Sequence, residues 1–187
     1  MDHYIDIDIR PDPEFPPNQL MAALYAKLHR ALAAQNSTGI GVSFPGVDLK
    51  AMHLGRRLRL HGNMASLSAL VKSDWLVGMR DHVSLALPAR VPEEARHCAV
   101  RRVQIKSNPE RLRRRLMRRH DIDLQEARQR IPDSTTRLVN LPFVQLRSAS
   151  TGQPFKLFIE HHPPQSNAVL GEFNTYGLSQ LATVPWF

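Results

Sequence analysis

Leu20, Leu24, Leu28 and Leu32 recur every four residues, soon after a strict alternation, Ile5-Asp6-Ile7-Asp8-Ile9. The alternation is the period of a strand with one buried face, and the leucine spacing is that of a helix with one apolar stripe. Pro11, Pro13, Pro16 and Pro17 separate the two, so a strand must end and a helix must begin near Asn18. A chain that opens in this way has a sheet face and a helix stripe to bury against each other, which restricts it to mixed architectures.

The next segments extend the pattern. Gly39 and Gly41 introduce a short strand through Phe44, and Arg57-Leu58-Arg59-Leu60-His61 alternates as a second. Ala65 to Lys72 is predicted helical with Leu67, Leu70 and Val71 inward. His82 to Leu87 is predicted as a strand with Val83, Leu85 and Leu87 on one face. The order β-α-β-β-α-β is the ferredoxin-like arrangement, and Pro88 to Glu94 is expected to be a linker that closes it. An α+β protein is expected, with a ferredoxin-like domain over 1–94 and a second domain over 95–187.

The second half opens on an extended stretch, Ala99 to Lys106, with Val103 and Ile105 alternating with Arg102, Gln104 and Lys106. Asn108-Pro109-Glu110 is a helix start: Asn caps, Pro suits the first position, and Glu favours the positive end of the dipole. Asp123 with Glu126 forms a capping-box pattern for a further helix that Pro132 ends. Phe143 to Arg147 and Phe155 to Ile159 are predicted strands, joined by the turn Ser148 to Gln153.

Charge indicates the partner. The chain carries a net charge of +8, and nine of its 25 Lys and Arg residues lie between Arg101 and Arg119, against one acid, Glu110. A concentrated basic stretch is a polyanion footprint. With Leu112 at zero degrees, Leu116 lies about 40° away, while Arg111, Arg114, Arg115 and Arg118 share an arc of about 100°. Two leucines are expected to dock this helix while four arginines face solvent, with Arg119 and His120 extending the patch. Solvated surface helices usually interleave Glu with Lys at i, i+4, which this one does not. Arginine suits bidentate recognition of phosphate and guanine, in RNA or in DNA.

No metal-site pattern stands out. There is no HExxH, and the adjacent His161 and His162 would point to opposite faces of a strand. Asp6 and Asp8 are expected on a solvent-facing strand surface. No glycine-rich phosphate loop stands out, no signal peptide is expected, no apolar run approaches a membrane span, and Cys98 is the single cysteine. A cytoplasmic protein without cofactor or metal is expected. Attack of an RNA ribose 2′-OH on its own phosphate needs neither. It needs a base, a group that holds the ribose, and positive charge near the phosphate. His29 lies on the row Met21, Tyr25, His29 that borders the buried stripe, a half-exposed place suited to a base, though also to an ordinary boundary histidine. Ser148 enters a turn, where a hydroxyl commonly stabilises the backbone. Tyr176 reads as a packing residue, and Phe155 either joins the core or stacks on a base.

These residues resemble the repeat-RNA processing endoribonucleases of type I-F CRISPR systems. The resemblance is carried by Met1 to Tyr4, Arg10 to Pro17, Lys106 to Asp121, Leu146-Arg147-Ser148, Ser150 to Gln153, Tyr176 to Ser179 and Val184 to Phe187. It implies a C-terminal α/β RNA-binding domain carrying the arginine-rich helix. It also implies metal-independent cleavage of CRISPR precursor RNA at the base of each repeat hairpin, by 2′-OH attack that leaves a cyclic phosphate. The product crRNA stays bound within the interference complex, whose other subunits are partners. In the resemblance, His29 is the catalytic histidine, Ser148 holds the ribose and Tyr176 supports the histidine. Arg102 and Gln104 read bases, Arg114, Arg115, Arg118, Arg119 and His120 contact groove and phosphates, and Phe155 lies beneath the terminal base pair. Residues 46–95 and 166–170 depart from the family pattern. Without the resemblance, a non-catalytic RNA-binding subunit or a duplex-DNA regulator would fit the same basic helix.

Overall fold

The structure, a computed structural model, describes residues 1–104, 109–132, 140–148 and 150–187, apart from the Arg111 side chain. Among them are two antiparallel sheets and four α-helices. The first sheet holds β1 (His3–Ile9), β2 (Gly41–Ser43), β3 (Arg57–Gly62), β4 (Val83–Leu85) and β5 (Ala89–Arg90). Its order is β2-β3-β1-β4, with β5 also paired to β1. The helices α1 (Pro17–Ala34) and α2 (Met64–Lys72) fall between these strands in the chain. The second sheet holds β6 (Arg96–Val103), β7 (Phe143–Arg147), β8 (Pro154–His161) and β9 (Thr183–Trp186), in the order β7-β8-β6-β9.

The opening pattern folds as its periods require. Ile5, Ile7 and Ile9 are buried, and so are Leu20, Leu24, Leu28 and Leu32 of α1. Each such leucine contributes roughly 1.5–3 kcal/mol by leaving water. Other expectations are corrected. The strand β3 is buried on both faces, because it lies between β2 and β1 and its second face is also covered. Arg59 sits there with its guanidinium on Asp6, at 2.7 and 2.9 Å, and against the rings of both Tyr4 and Phe187. Asp6 is accordingly covered rather than solvent-facing, while Asp8 pairs with Arg57 at 2.8 Å. His61, fully buried, meets the Ser43 hydroxyl at 2.8 Å through Nε2, and its Nδ1 has no hydrogen-bond partner among the described residues.

Val71 is exposed, since α2 needs only Leu67 and Leu70 to dock. The fourth strand stops at Leu85, and Leu85 and Leu87 face outward, 40% and 87% exposed. The expected linker contains β5, whose Ala89 and Arg90 pair with Tyr4 and His3. Where β2 passes the second sheet, a β-carbon on Gly41 would lie 2.5 Å from Val184 and 2.8 Å from Phe173, so only glycine fits.

Chain packing forms two compact units. One joins Met1–Val103 to Leu141–Phe187, and the other is Gln104–Asn140. In the smaller unit, α3 (Pro109–His120) packs on α4 (Leu124–Arg130), which Asp123 caps by accepting the Glu126 N–H at 2.8 Å. Leu112 and Leu116 are half-buried, and the deepest described side chain facing α4 is charged. Arg113, 4% exposed, donates through Nε and Nη2 to the Ile131 carbonyl, at 2.8 and 2.7 Å, just where α4 ends. Expected positions Ile105, Lys106, Asn108, Ala149 and the Arg111 side chain lie outside the described residues.

Candidate RNA-processing site

In the larger unit, His29 projects from α1, half-buried, and its Nδ1 lies 2.9 Å from the Thr175 carbonyl. A carbonyl only accepts, so Nδ1 carries the proton and the lone pair of the neutral ring sits on Nε2. The imidazole stacks flat on Tyr176, with centroids 3.9 Å apart and planes within 5°. One nitrogen is therefore available as a base, and both the tautomer and the tilt of the ring are fixed.

The segment that supplies these contacts is itself anchored. Tyr25, buried beneath, donates its hydroxyl to the Tyr176 carbonyl at 2.7 Å. Burial, with the neighbouring Tyr176, pushes the Tyr25 phenol well above its ordinary value, so it remains a donor. The Asn174 side chain accepts from the Tyr176 and Leu178 N–H groups. Gly177, at φ +69°, passes its carbonyl to the Val42 N–H at 2.9 Å, and a β-carbon there would lie 2.6 Å from Val42. The sequence singled out His29 and Tyr176 but missed Tyr25 and Thr175. The i, i+4 spacing of Tyr25 and His29 was the only available signal for the former, and a backbone carbonyl leaves none.

Ser148 follows directly on β7, the strand against which α1 packs. Its hydroxyl meets Ser150 at 3.2 Å and accepts from the Thr151 N–H at 3.3 Å, while its backbone closes the hairpin with Gln153 and Gly152. Among the described residues, no hydrogen bond joins Ser148 to His29 or Tyr176. Arg102 extends from β6 so that its guanidinium carbon lies 5.9 Å from the Phe155 ring centre and 6.0 Å from that of Tyr176. Phe155, half-buried, pairs with Leu146 across β7 and β8, near the base of the Ser148 turn. His29, Tyr176 and Arg102 are thus brought together, and Phe155 joins them through Arg102.

The smaller unit presents Gln104, Arg114, Arg115, Arg118, Arg119 and His120 exposed. Among the described residues, no group of three or more His, Cys, Asp or Glu is placed to hold a metal ion, and no helix is long and apolar enough to cross a membrane.

A basic helix face in one unit and a positioned histidine in the other are each features of polyanion-binding proteins, and the comparison with known families resolves which one. The chain belongs to the family described as CRISPR-associated protein (Cas_Csy4), which matches residues 4–187. It is 58% identical to the CRISPR-associated endonuclease Cas6/Csy4 of Pseudomonas aeruginosa (strain UCBPP-PA14), over all 187 residues and the whole of that protein. It is 46% identical to the protein of the same name from Escherichia coli (strain UTI89 / UPEC), again over the full length of both.

Proposed function

We propose that the chain is a metal-independent endoribonuclease that cuts CRISPR precursor RNA at the base of the repeat hairpin and keeps the product crRNA. The observation that carries this reading is the His29 imidazole, with Nδ1 committed to Thr175 and its face fixed on Tyr176. Nε2 is the base that takes the proton of the ribose 2′-OH. The 2′ oxygen then bonds to phosphorus, the bond from phosphorus to O5′ breaks, and the 5′ oxygen leaves as a hydroxyl after taking up a proton. A 2′,3′-cyclic phosphate remains. Ser148 holds the ribose, and Arg102 supplies positive charge near the phosphate.

Phe155 stacks under the terminal base pair, and Gln104 with Arg102 reads bases. Arg114, Arg115, Arg118, Arg119 and His120 grip the stem. The stem groove of A-form RNA admits such a helix only near an end or loop, which suits a short hairpin. We read the sheet order β2-β3-β1-β4, with its two helices, as a ferredoxin-like domain over 1–94. Residues 95–187 then form the RNA-binding domain. The setting is cytoplasmic, without cofactor, alongside the other subunits of a type I-F interference complex.

The test is cleavage in EDTA of hairpin RNA bearing the host repeat. The wild-type protein cuts at one site, and a 2′-deoxy substitution at the nucleotide before the cut stops it. His29→Ala loses cutting by at least about 10²-fold while hairpin binding is kept, as expected for a general base. Binding without cleavage of the all-ribose RNA would make the chain a non-catalytic holder of crRNA.

A further inference from the structure

A groove of about 920 Å³ runs between the first turns of α1, the loop 51–56 and the exposed edge of β7. Its walls include Asn18, Gln19, His53, Arg56, Phe143 and Arg147, and none of its lining residues is acidic. The first turn of α1 adds no acid either. Phe143 is 38% exposed, with the Lys156 ammonium 4.4 Å from its ring centre, so an aromatic face and a cation occur together. Arg56 is exposed and makes no ion pair among the described residues. The loop wall is built rather than loose. Asp48 pairs with His53 and accepts from the N–H groups of Lys50 and Ala51. Met52 holds φ +58°, and Gly55, at φ +80°, presses against the Gly46 backbone.

The groove is built on two elements, α1 and β7, that also lead to the site already described. Arg147, on its wall, immediately precedes Ser148. Met21, on the opposite wall, begins the row that leads through Tyr25 to His29. From Met21 to His29 the helix rises about 12 Å, a distance that a few nucleotides cover. Positive charge that tracks a backbone, together with an aromatic platform, is how single strands are held without sequence preference. The volume is at the upper end of ligand-enclosing clefts, so about two to three nucleotides fit.

We propose that this groove holds the single-stranded RNA on the 3′ side of the cut, the strand that departs with the 5′-hydroxyl. The inference rests on the endoribonuclease reading, because it takes the ribose to be held at Ser148 and the leaving strand to continue past Arg147. It assigns an RNA contact to residues 51–56.

The experiment measures binding of 2′-deoxy-blocked hairpin RNAs that end at the cut nucleotide, extend six nucleotides 3′ of it, or extend six nucleotides on the 5′ side. The 3′ extension tightens binding by about tenfold, the worth of one stacked base plus a phosphate contact, and the 5′ extension does not. Arg56→Glu reduces the 3′ gain to below about twofold and Phe143→Ala to about threefold. Both side chains are exposed, and an unchanged affinity for the unextended hairpin shows that the variants are folded. No gain from the 3′ extension, a gain that survives Arg56→Glu, or a gain confined to the 5′ extension would each overturn the proposal. Failure of the wild-type protein to bind even the unextended hairpin would instead remove the endoribonuclease reading, and the groove assignment with it.

Discussion

Lowering the pH from 7 to 5 tests whether the buried polar layer under β3 is as closed as it looks. His61 is fully buried beside Arg59, and burial first, then the guanidinium, lowers its pKa to about 3. His161 accepts the Phe44 N–H at Nε2, has a sealed Nδ1 and packs on Trp186, and burial lowers its pKa to about 4. A histidine whose folded value lies below its ordinary ~6.5 binds protons better when unfolded. Its contribution is therefore complete above pH ~6.5 and is lost as the pH falls through the window below it. By pH 5, about 1.5 units into that window, His61 withdraws about 2 kcal/mol. His161 withdraws up to about as much, less to the extent that the partly open edge of its ring admits water.

A combined loss of about 2–4 kcal/mol is a drop of about 1–2 M in the urea midpoint, at a slope of about 2 kcal/mol per M. Three carboxylates act in the same direction at lower pH. Asp12 is held low by the N–H groups of Glu14 and Phe15, Asp48 by those of Ala51 and Lys50, and Asp2 by His3. A lowered carboxylate loses its contribution only as pH falls below the ordinary value of about 4, so the interval from 7 to 5 belongs to the histidines. Urea titrations at half-unit pH steps would measure the slope. A midpoint that does not move, or a slope that persists undiminished in His61→Gln and His161→Gln, would refute the reasoning.

Two further outcomes follow from geometry. The Tyr176 hydroxyl makes no hydrogen bond among the described residues, whereas its ring carries His29, so Tyr176→Phe should cut within about threefold of wild type. Tyr176→Ala should slow single-turnover cleavage by about tenfold or more with hairpin affinity intact; equal rates for the two variants would remove the positioning role. Arg113→Met should cost the smaller unit about 2 kcal/mol, as two charge-assisted bonds to a carbonyl are lost. Amide exchange within 109–131 should then accelerate about 30-fold and hairpin binding weaken, while Arg114→Ala weakens binding with exchange unchanged. Unaltered exchange in Arg113→Met would show that its contact with Ile131 contributes nothing.

How much of this was legible in the sequence depends on range. The strand β1, the stripe of α1 and the Asp123 cap are set by neighbours a few residues away, and their periods state them directly. The covering of β3 is not, because a strand's second face is buried by whatever the fold lays upon it. Arg59 and His61 therefore looked like the wet side of an alternating strand. Leu85 and Leu87 erred in the opposite sense, since an alternating apolar set has no need of a core when its strand is three residues long. The strand β9 escaped notice because Pro185 argues against a strand, yet at the edge of a sheet proline is tolerated. Arg113 carries no sequence signal for its role, because a charged residue is not expected to dock a helix. Leu112 and Leu116 were given that task alone.

The contacts that orient the histidine end on main-chain oxygens, those of Thr175 and Tyr176. A residue-by-residue replacement survey would thus record position 175 as dispensable, since every amino acid there brings the same carbonyl. That side chain is free to vary without loss of the contact to His29 Nδ1. The vulnerable positions are those that set the path of the loop, Asn174 and Gly177, which make no hydrogen bond to the imidazole among the described residues. An inactive variant at either would look like a folding defect in an activity screen, although its cause would be a donor's partner moved by a fraction of a bond length.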